Sequence, residues 1–289
     1  MGYDIYTGLL KAFALPAVVD GDICLVCDNN HPDFSQLKSK YPIESIAGEG
    51  DDLSKALNLL HWVSAHIYHK GDYAGSVPQN AIDLLAYSYD KGYENGINCV
   101  CLAKILAECL LAIGLQARQV YIMPCSPYDG DNHVVTHVYI DKLSKWVMLD
   151  PTLNAYITNE KGEYLSILEL RNHLANQETI YFNKEAKYND DEWTDESIKE
   201  NTEYFAKNLF YFFMSEISTF GTPESTDNRH ILLSPEGYDV KQKDLSNMEY
   251  RIKRGWTGPQ MQKWFNDVKK RKYYYCSSLD FEAPSPLKT

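Results

Sequence analysis

An α+β fold is predicted by three observations. Apolar residues recur at helical spacing at Leu53, Leu57, Leu60, Val63 and Ile67, and again at Cys99, Ala103, Leu106, Leu110 and Ile113. After the second run come three stretches that read as strands, and their order places a helix ahead of antiparallel pairs. The chain has 289 residues, 44% of them hydrophobic and 24% charged, which is enough to bury a core without disulfides.

Residues 1–50 show no single period and carry turn signals at Asp20-Gly21-Asp22 and Asn29-Asn30-His31-Pro32, so they read as a lead-in of short strands and loops packed on the core. From Asp51, a carboxylate suited to capping, an amphipathic helix runs to near His69-Lys70-Gly71. A shorter helix is expected from Asn80 to Tyr89, broken by Lys91-Gly92 and Asn95-Gly96. Asn98 is a good N-cap for the next helix, and Gly114 is placed to end it in the left-handed conformation. Strands follow at 116–123, 134–140 and 145–149, with a loop rich in Pro, Asp and Gly over 124–132. Residues 183–201 are strongly acidic and lead into a helical stripe at Ile198, Thr202, Phe205, Leu209 and Phe212. The remainder reads as strands, loops and one short helix. The resulting division is 1–50 as lead-in, 51–182 as core, and 183–289 as an extension that completes or covers the core.

Composition narrows the function classes. A formal charge of −12 leaves no basic stripe for phosphates, and Lys269-Lys270-Arg271-Lys272 reads as a solvated helix end, so no nucleic acid partner is expected. Seven cysteines with no pairing scheme point to reduced thiols. Leu9 to Val19 is interrupted by Lys11 and Pro16 and makes a poor signal peptide, and no run reaches the length of a membrane span. A soluble cytoplasmic protein without a membrane partner is the expectation; oligomeric state is left open.

Cys99 carries the chemistry. A helix N-terminus lowers a thiol pKa, an imidazole in contact lowers it further, and a carboxylate fixes that imidazole's tautomer. If the strands 134–140 and 145–149 close tightly around Asp141-Lys142, His133 falls opposite Asp150; a looser turn moves the register by a residue or two.

The segment from Asn98 to Thr152 resembles the core of the transglutaminase-like superfamily. The resemblance rests on Cys99 with Ala103 four later, Gly114-Leu115-Gln116-Ala117-Arg118, His133-Val134-Val135 leading into Val138-Tyr139, and Trp146 through Thr152. Leu60-His61-Trp62-Val63 with Ile67-Tyr68 adds to it upstream. It implies a papain-like fold, Cys99 as nucleophile, His133 as general acid/base, Asp150 as orienting carboxylate, and acyl transfer through a thioester. Hydrolysis of a peptide amide, as by a protease or amidase, is favoured over transglutaminase cross-linking. This chain departs from the family pattern in having His137 four positions after the histidine and Val135 two after it.

Other residues compete for roles. Cys101 is the rival nucleophile, but two residues along a helix turn it about 200° from Cys99. His137 shares a strand face with His133 roughly 13 Å away, and is a substrate-side candidate. Asn98, Gln79 and Trp62 are candidates for the second oxyanion donor. Arg118 is expected to be a structural ion-pair partner. Cys24-Leu25-Val26-Cys27 lacks the second pair that zinc would need, so no metal and no cofactor are expected, nor is calcium. The expected partner is a peptide or protein substrate. The alternative is a binding module without enzymatic activity that keeps the fold and holds a partner through the aromatic stretches Phe205–Phe213 and Tyr273–Tyr275.

Overall fold

A computed structural model describes residues 2–18, 23–221 and 229–285; the Asp20-Gly21-Asp22 turn lies outside them. The fold is mixed α+β, built on one large sheet.

The amino-terminal region corrects the expectation of strands and loops. It holds α1 (Gly2–Ala12), a two-residue strand β1 (Val26–Cys27), α2 (Asp33–Lys40) and α3 (Ile43–Ala47). Thr7 and Leu10 of α1 are buried, with Tyr3 and Tyr6 packed on the same core, and Phe34, Leu37 and Tyr41 are buried around α2. These are helical spacings, but two or three turns carry too few repeats to stand out; tertiary packing decides them.

Helices α4 (Asp52–His66), α5 (Ala81–Tyr87) and α6 (Cys99–Ala112) match the sequence periods. Their caps are Asp51, Asn80 and Asn98, each accepting from a backbone N–H three residues on. Eleven of the fourteen residues of α6 are buried, so it is a central helix rather than a surface one. Only its first turn approaches solvent on the Cys99 side. Gly114 ends the helix region at φ +89°, where a Cβ would be strained.

The sheet begins with β2 (Ala117–Met123) and β3 (His133–Ile140), then β4 (Lys145–Asp150) and β5 (Ala155–Thr158). After α7 (Ile167–Ala175) come β6 (Tyr181–Phe182) and a separate hairpin of β7 (Lys187–Tyr188) and β8 (Asp191–Glu192), which the acidic composition had hidden. Helix α8 (Asp195–Asn208) leads to β9 (Tyr211–Ser215), β10 (Ile217–Ser218) and β11 (His230–Leu233). The carboxyl-terminal part, expected to hold one short helix, has three: α9 (Val240–Lys253), α10 (Pro259–Lys270) and α11 (Ser278–Glu282), with β12 (Tyr274–Tyr275) before the last.

The eight-stranded order is β12-β11-β9-β2-β3-β4-β5-β6, antiparallel except for β11 with β12. One buried cluster lies on the α4–α6 side and includes Val138 and Val147; the other includes Val135 and Met148 and is covered by α1, α7 and α8. Phe205, Phe210, Tyr211 and Phe212 belong to this second core, so they form no docking surface.

The β3–β4 turn is looser than a two-residue hairpin. Asp141–Leu143 form a 3₁₀ turn and Ser144 sits at φ 52°. Ile140 therefore pairs with Lys145 and Thr136 with Leu149, which sets Asp150 across from Val135 rather than from His133. His133 and Asp150 become diagonal neighbours on one face, still within side-chain reach.

Candidate active site

Asn98 shapes the first turn of α6. Its backbone is extended, at φ −81° and ψ 173°, and its Oδ1 accepts from the Cys101 N–H at 3.1 Å. Cys99 is thereby the first helical residue, half-buried, with its thiol at the positive end of the helix dipole. Burial pushes this thiol up, but the neighbouring His133 and His69 imidazoles outweigh it and bring it down to about 6.

His133 is buried and its Nε2 lies 2.6 Å from Asp150 Oδ2. The other carboxylate oxygen accepts from the Thr152 N–H at 2.9 Å, which locks the Asp150 rotamer. With Nε2 bound to the carboxylate, Nδ1 is the nitrogen left for Cys99. Burial disfavours the imidazolium, yet the Asp150 charge and hydrogen bond, followed by those of Cys99, raise His133 to about 10. Between those two values the thiolate–imidazolium pair is the stable form. The His133 ring rests edge-on against Tyr204 and Phe205 of α8, at 5.6 and 6.2 Å between centroids.

These groups line an open cleft of about 550 Å³, whose walls include Asn98, Asp131, Tyr188, Tyr204 and Trp256. The 124–132 loop ahead of His133 is held from outside. Lys207 of α8 pairs with Asp129 and Asp131 at 3.0 and 3.2 Å, Asn247 of α9 donates to the carbonyls of Pro127 and Asp129, and Arg251 donates to that of Gly130.

The other sequence candidates scatter. Cys101 is fully buried, and burial with the neighbouring Cys99 charge pushes it up to about 12. Trp62 is buried between His66 and Tyr89, away from the cleft, so it packs and does not donate. Gln79 lines a different cavity with Lys104 and Glu108. Asn98 reaches the cleft, but its oxygen serves the cap. His137, the substrate-side candidate, is fully buried, stacked on Trp146 at 5.0 Å; burial and the Arg118 charge lower its pKa well below the usual range. Its alternation put it on the right face, but α11 covers that face with Phe281.

Arg118 is no ion-pair partner either. Its guanidinium is buried over the Trp146 and Phe281 rings, 4.0 and 4.5 Å from their centroids, and Nη2 contacts His137 Nδ1 and the Phe281 carbonyl. Among the described residues no carboxylate lies within ion-pairing distance of it, and no cluster of His, Cys, Asp and Glu is arranged for a metal ion. No described helix is long and apolar enough to cross a membrane.

Sequence reasoning missed His69, which was read only as a helix end. It follows α4, bridges to Ile97 just before the Asn98 cap, and meets Tyr188 and Asn189 of the β7–β8 hairpin. Those pairings span about 120 residues of chain, and no local pattern announces them.

The family model of the transglutaminase-like superfamily matches residues 40–151, a span that contains Cys99, His133 and Asp150. No curated protein and no solved structure matches the chain.

Proposed function

We propose, from the transglutaminase-like core carried by residues 40–151, that this protein is a cysteine-dependent acyl-transfer enzyme acting on peptide amides, with water as the favoured acceptor. One observation carries the reading: His133 is hydrogen-bonded to Asp150 and lines, together with Cys99, a cleft open to solvent.

The Cys99 thiolate attacks the amide carbon, and the C=O π pair moves onto oxygen. When the tetrahedral intermediate collapses, the C–N bond breaks and imidazolium His133 gives its proton to the leaving nitrogen, producing an amine and a thioester. His133, now neutral, takes a proton from water as the water oxygen attacks the thioester, and collapse releases a carboxylic acid and restores the thiolate. Asp150 stays ionised throughout and holds the ring. An open groove lets water reach the thioester without a shaped amine site. This is the support for hydrolysis over cross-linking.

The binding-module reading keeps only Tyr273–Tyr275 of its two aromatic stretches, because Phe205, Phe210, Tyr211 and Phe212 are core. Mass spectrometry after a short exposure to iodoacetamide at neutral pH tests the proposal. Cys99 is expected to be modified well before Cys24, an exposed thiol that serves as an internal reference. Equal or slower modification of Cys99 removes the nucleophile. Product analysis with a peptide library, with and without added primary amine, then separates hydrolysis from cross-linking.

A further inference from the structure

We propose that His69 is the second oxyanion donor, an imidazole whose N–H is aimed at the reacting centre by Tyr188 and Asn189; this rests on Cys99 being the nucleophile. Three observations converge on the position of this ring. The Asn189 side chain pins its backbone on both sides: Oδ1 accepts from the His69 N–H at 2.7 Å, and Nδ2 donates to the His69 carbonyl at 3.2 Å. The bridge to Ile97 ties the same residue to the segment that enters α6. The ring's Nδ1 lies 2.8 Å from the Tyr188 hydroxyl, and His69 and Cys99 line the same cleft wall.

Tautomer follows from these contacts. With Nδ1 engaged by Tyr188, Nε2 is the nitrogen left for Cys99. A lone pair facing a thiolate is repelled, so the stable arrangement has Tyr188 O–H donating to Nδ1 and the proton on Nε2. The thiol therefore has two imidazoles with different tasks. His133, backed by a carboxylate, carries a transferable proton; His69, backed by a phenol, carries a fixed one.

Attack moves the negative charge from sulfur to the carbonyl oxygen, one bond removed from the new S–C bond. A donor that served the thiolate then serves the oxyanion, with no proton transferred, alongside the Cys99 backbone N–H, an orphan of the first helical turn. The alternative donors are occupied or elsewhere: Asn98 caps, Gln119 Nε2 donates to the Val100 carbonyl, Trp62 is in the core, and Gln79 lines another cavity.

A purely electrostatic role for His69, lowering the thiol pKa, is separated by two probes of Cys99 measured across pH. Iodoacetamide alkylates by displacement at carbon and forms no oxyanion, whereas p-nitrophenyl acetate acylates through one. His69→Ala is expected to slow acylation per thiolate by about 10²–10³-fold, the usual loss for one such donor, while alkylation per thiolate stays within about tenfold. His69→Gln, which keeps an N–H, restores part of the acylation rate. Tyr188→Phe leaves the ring in place but frees its tautomer; it shows the same split with a smaller loss and covers the case in which His69→Ala fails to fold. Parallel losses with both probes, or no loss with either, overturn the proposal. A wild-type Cys99 that alkylates no faster than Cys24 overturns the nucleophile reading and this one with it; a fast wild-type Cys99 without the split overturns His69 alone.

Discussion

Strand β3 holds two buried histidines, one at its start and one in its interior, with opposite fates. His133 faces a carboxylate and a thiol, and is raised to about 10. His137, four residues along, sits beside the Arg118 guanidinium and between two aromatic rings, and is lowered, after burial, by that positive charge. The first turn of α6 repeats the contrast, with Cys99 at about 6 and Cys101 at about 12. Burial alone disfavours any charge; the sign of the nearest partner decides whether a buried group becomes reactive or inert. A strand end or helix start gives access to such a partner, and the interior of the same element does not.

The sharpest break in that contrast is Cys99→Ala against Cys101→Ala. The first is expected to lower peptide-amide turnover by about 10⁴-fold or more and to abolish the acyl-enzyme adduct in mass spectrometry; the second leaves the adduct intact. Next in size is Asp150→Asn, which keeps the shape but removes the charge that holds His133 protonated. Turnover falls by about 10²–10⁴-fold, and the alkylation midpoint of Cys99 rises above its wild-type value near pH 6.

In the wild type, alkylation of Cys99 rises with pH through about 6, because a lowered thiol pKa moves the reactive thiolate to lower pH; Cys101 stays protonated until about 12. A Cys99 midpoint at the ordinary value of 9 removes the distinction between the two thiols. In the interior of β3, His137→Leu is expected to destabilise the fold by about 1–3 kcal/mol, because the buried Arg118 Nη2 loses its Nδ1 partner, and to leave the acylation rate unchanged. A denaturation curve beside an acylation assay checks both.

The smallest effect is a pH slope from Glu108, whose carboxyl burial raises to about 7 against Lys104 and two backbone N–H groups that lower it. The folded state binds this proton more tightly than the unfolded chain. Its contribution to stability is therefore full below pH 4.5 and is lost as pH rises to about 7, a slope visible in urea midpoints.

Much of the site was legible where chemistry and secondary structure coincide. Asn98 before Cys99 reads as a cap, and the cap holds in the structure. The His133–Asp150 contact survived a wrong register, because a two-residue slip on a strand keeps both side chains on one face. His137 was misplaced because alternation gives a face but not what covers it, and α11 lies about 140 residues downstream. His69 was invisible for the same reason: its ring is positioned by a two-strand hairpin inside an acidic stretch. The helices of the first fifty residues were missed because each is short.

The clamp on the 124–132 loop bears on when the chemistry can begin. Lys207, Asn247 and Arg251 hold the loop that presents His133, and β9 is inserted beside β2. A ribosome adding about 5–20 residues per second needs roughly 7–30 s to travel from Cys99 to Asn247. Throughout that interval the loop ahead of His133 lacks its anchors on α8 and α9. The cleft around Cys99 is thus complete only after the last third of the chain has been made.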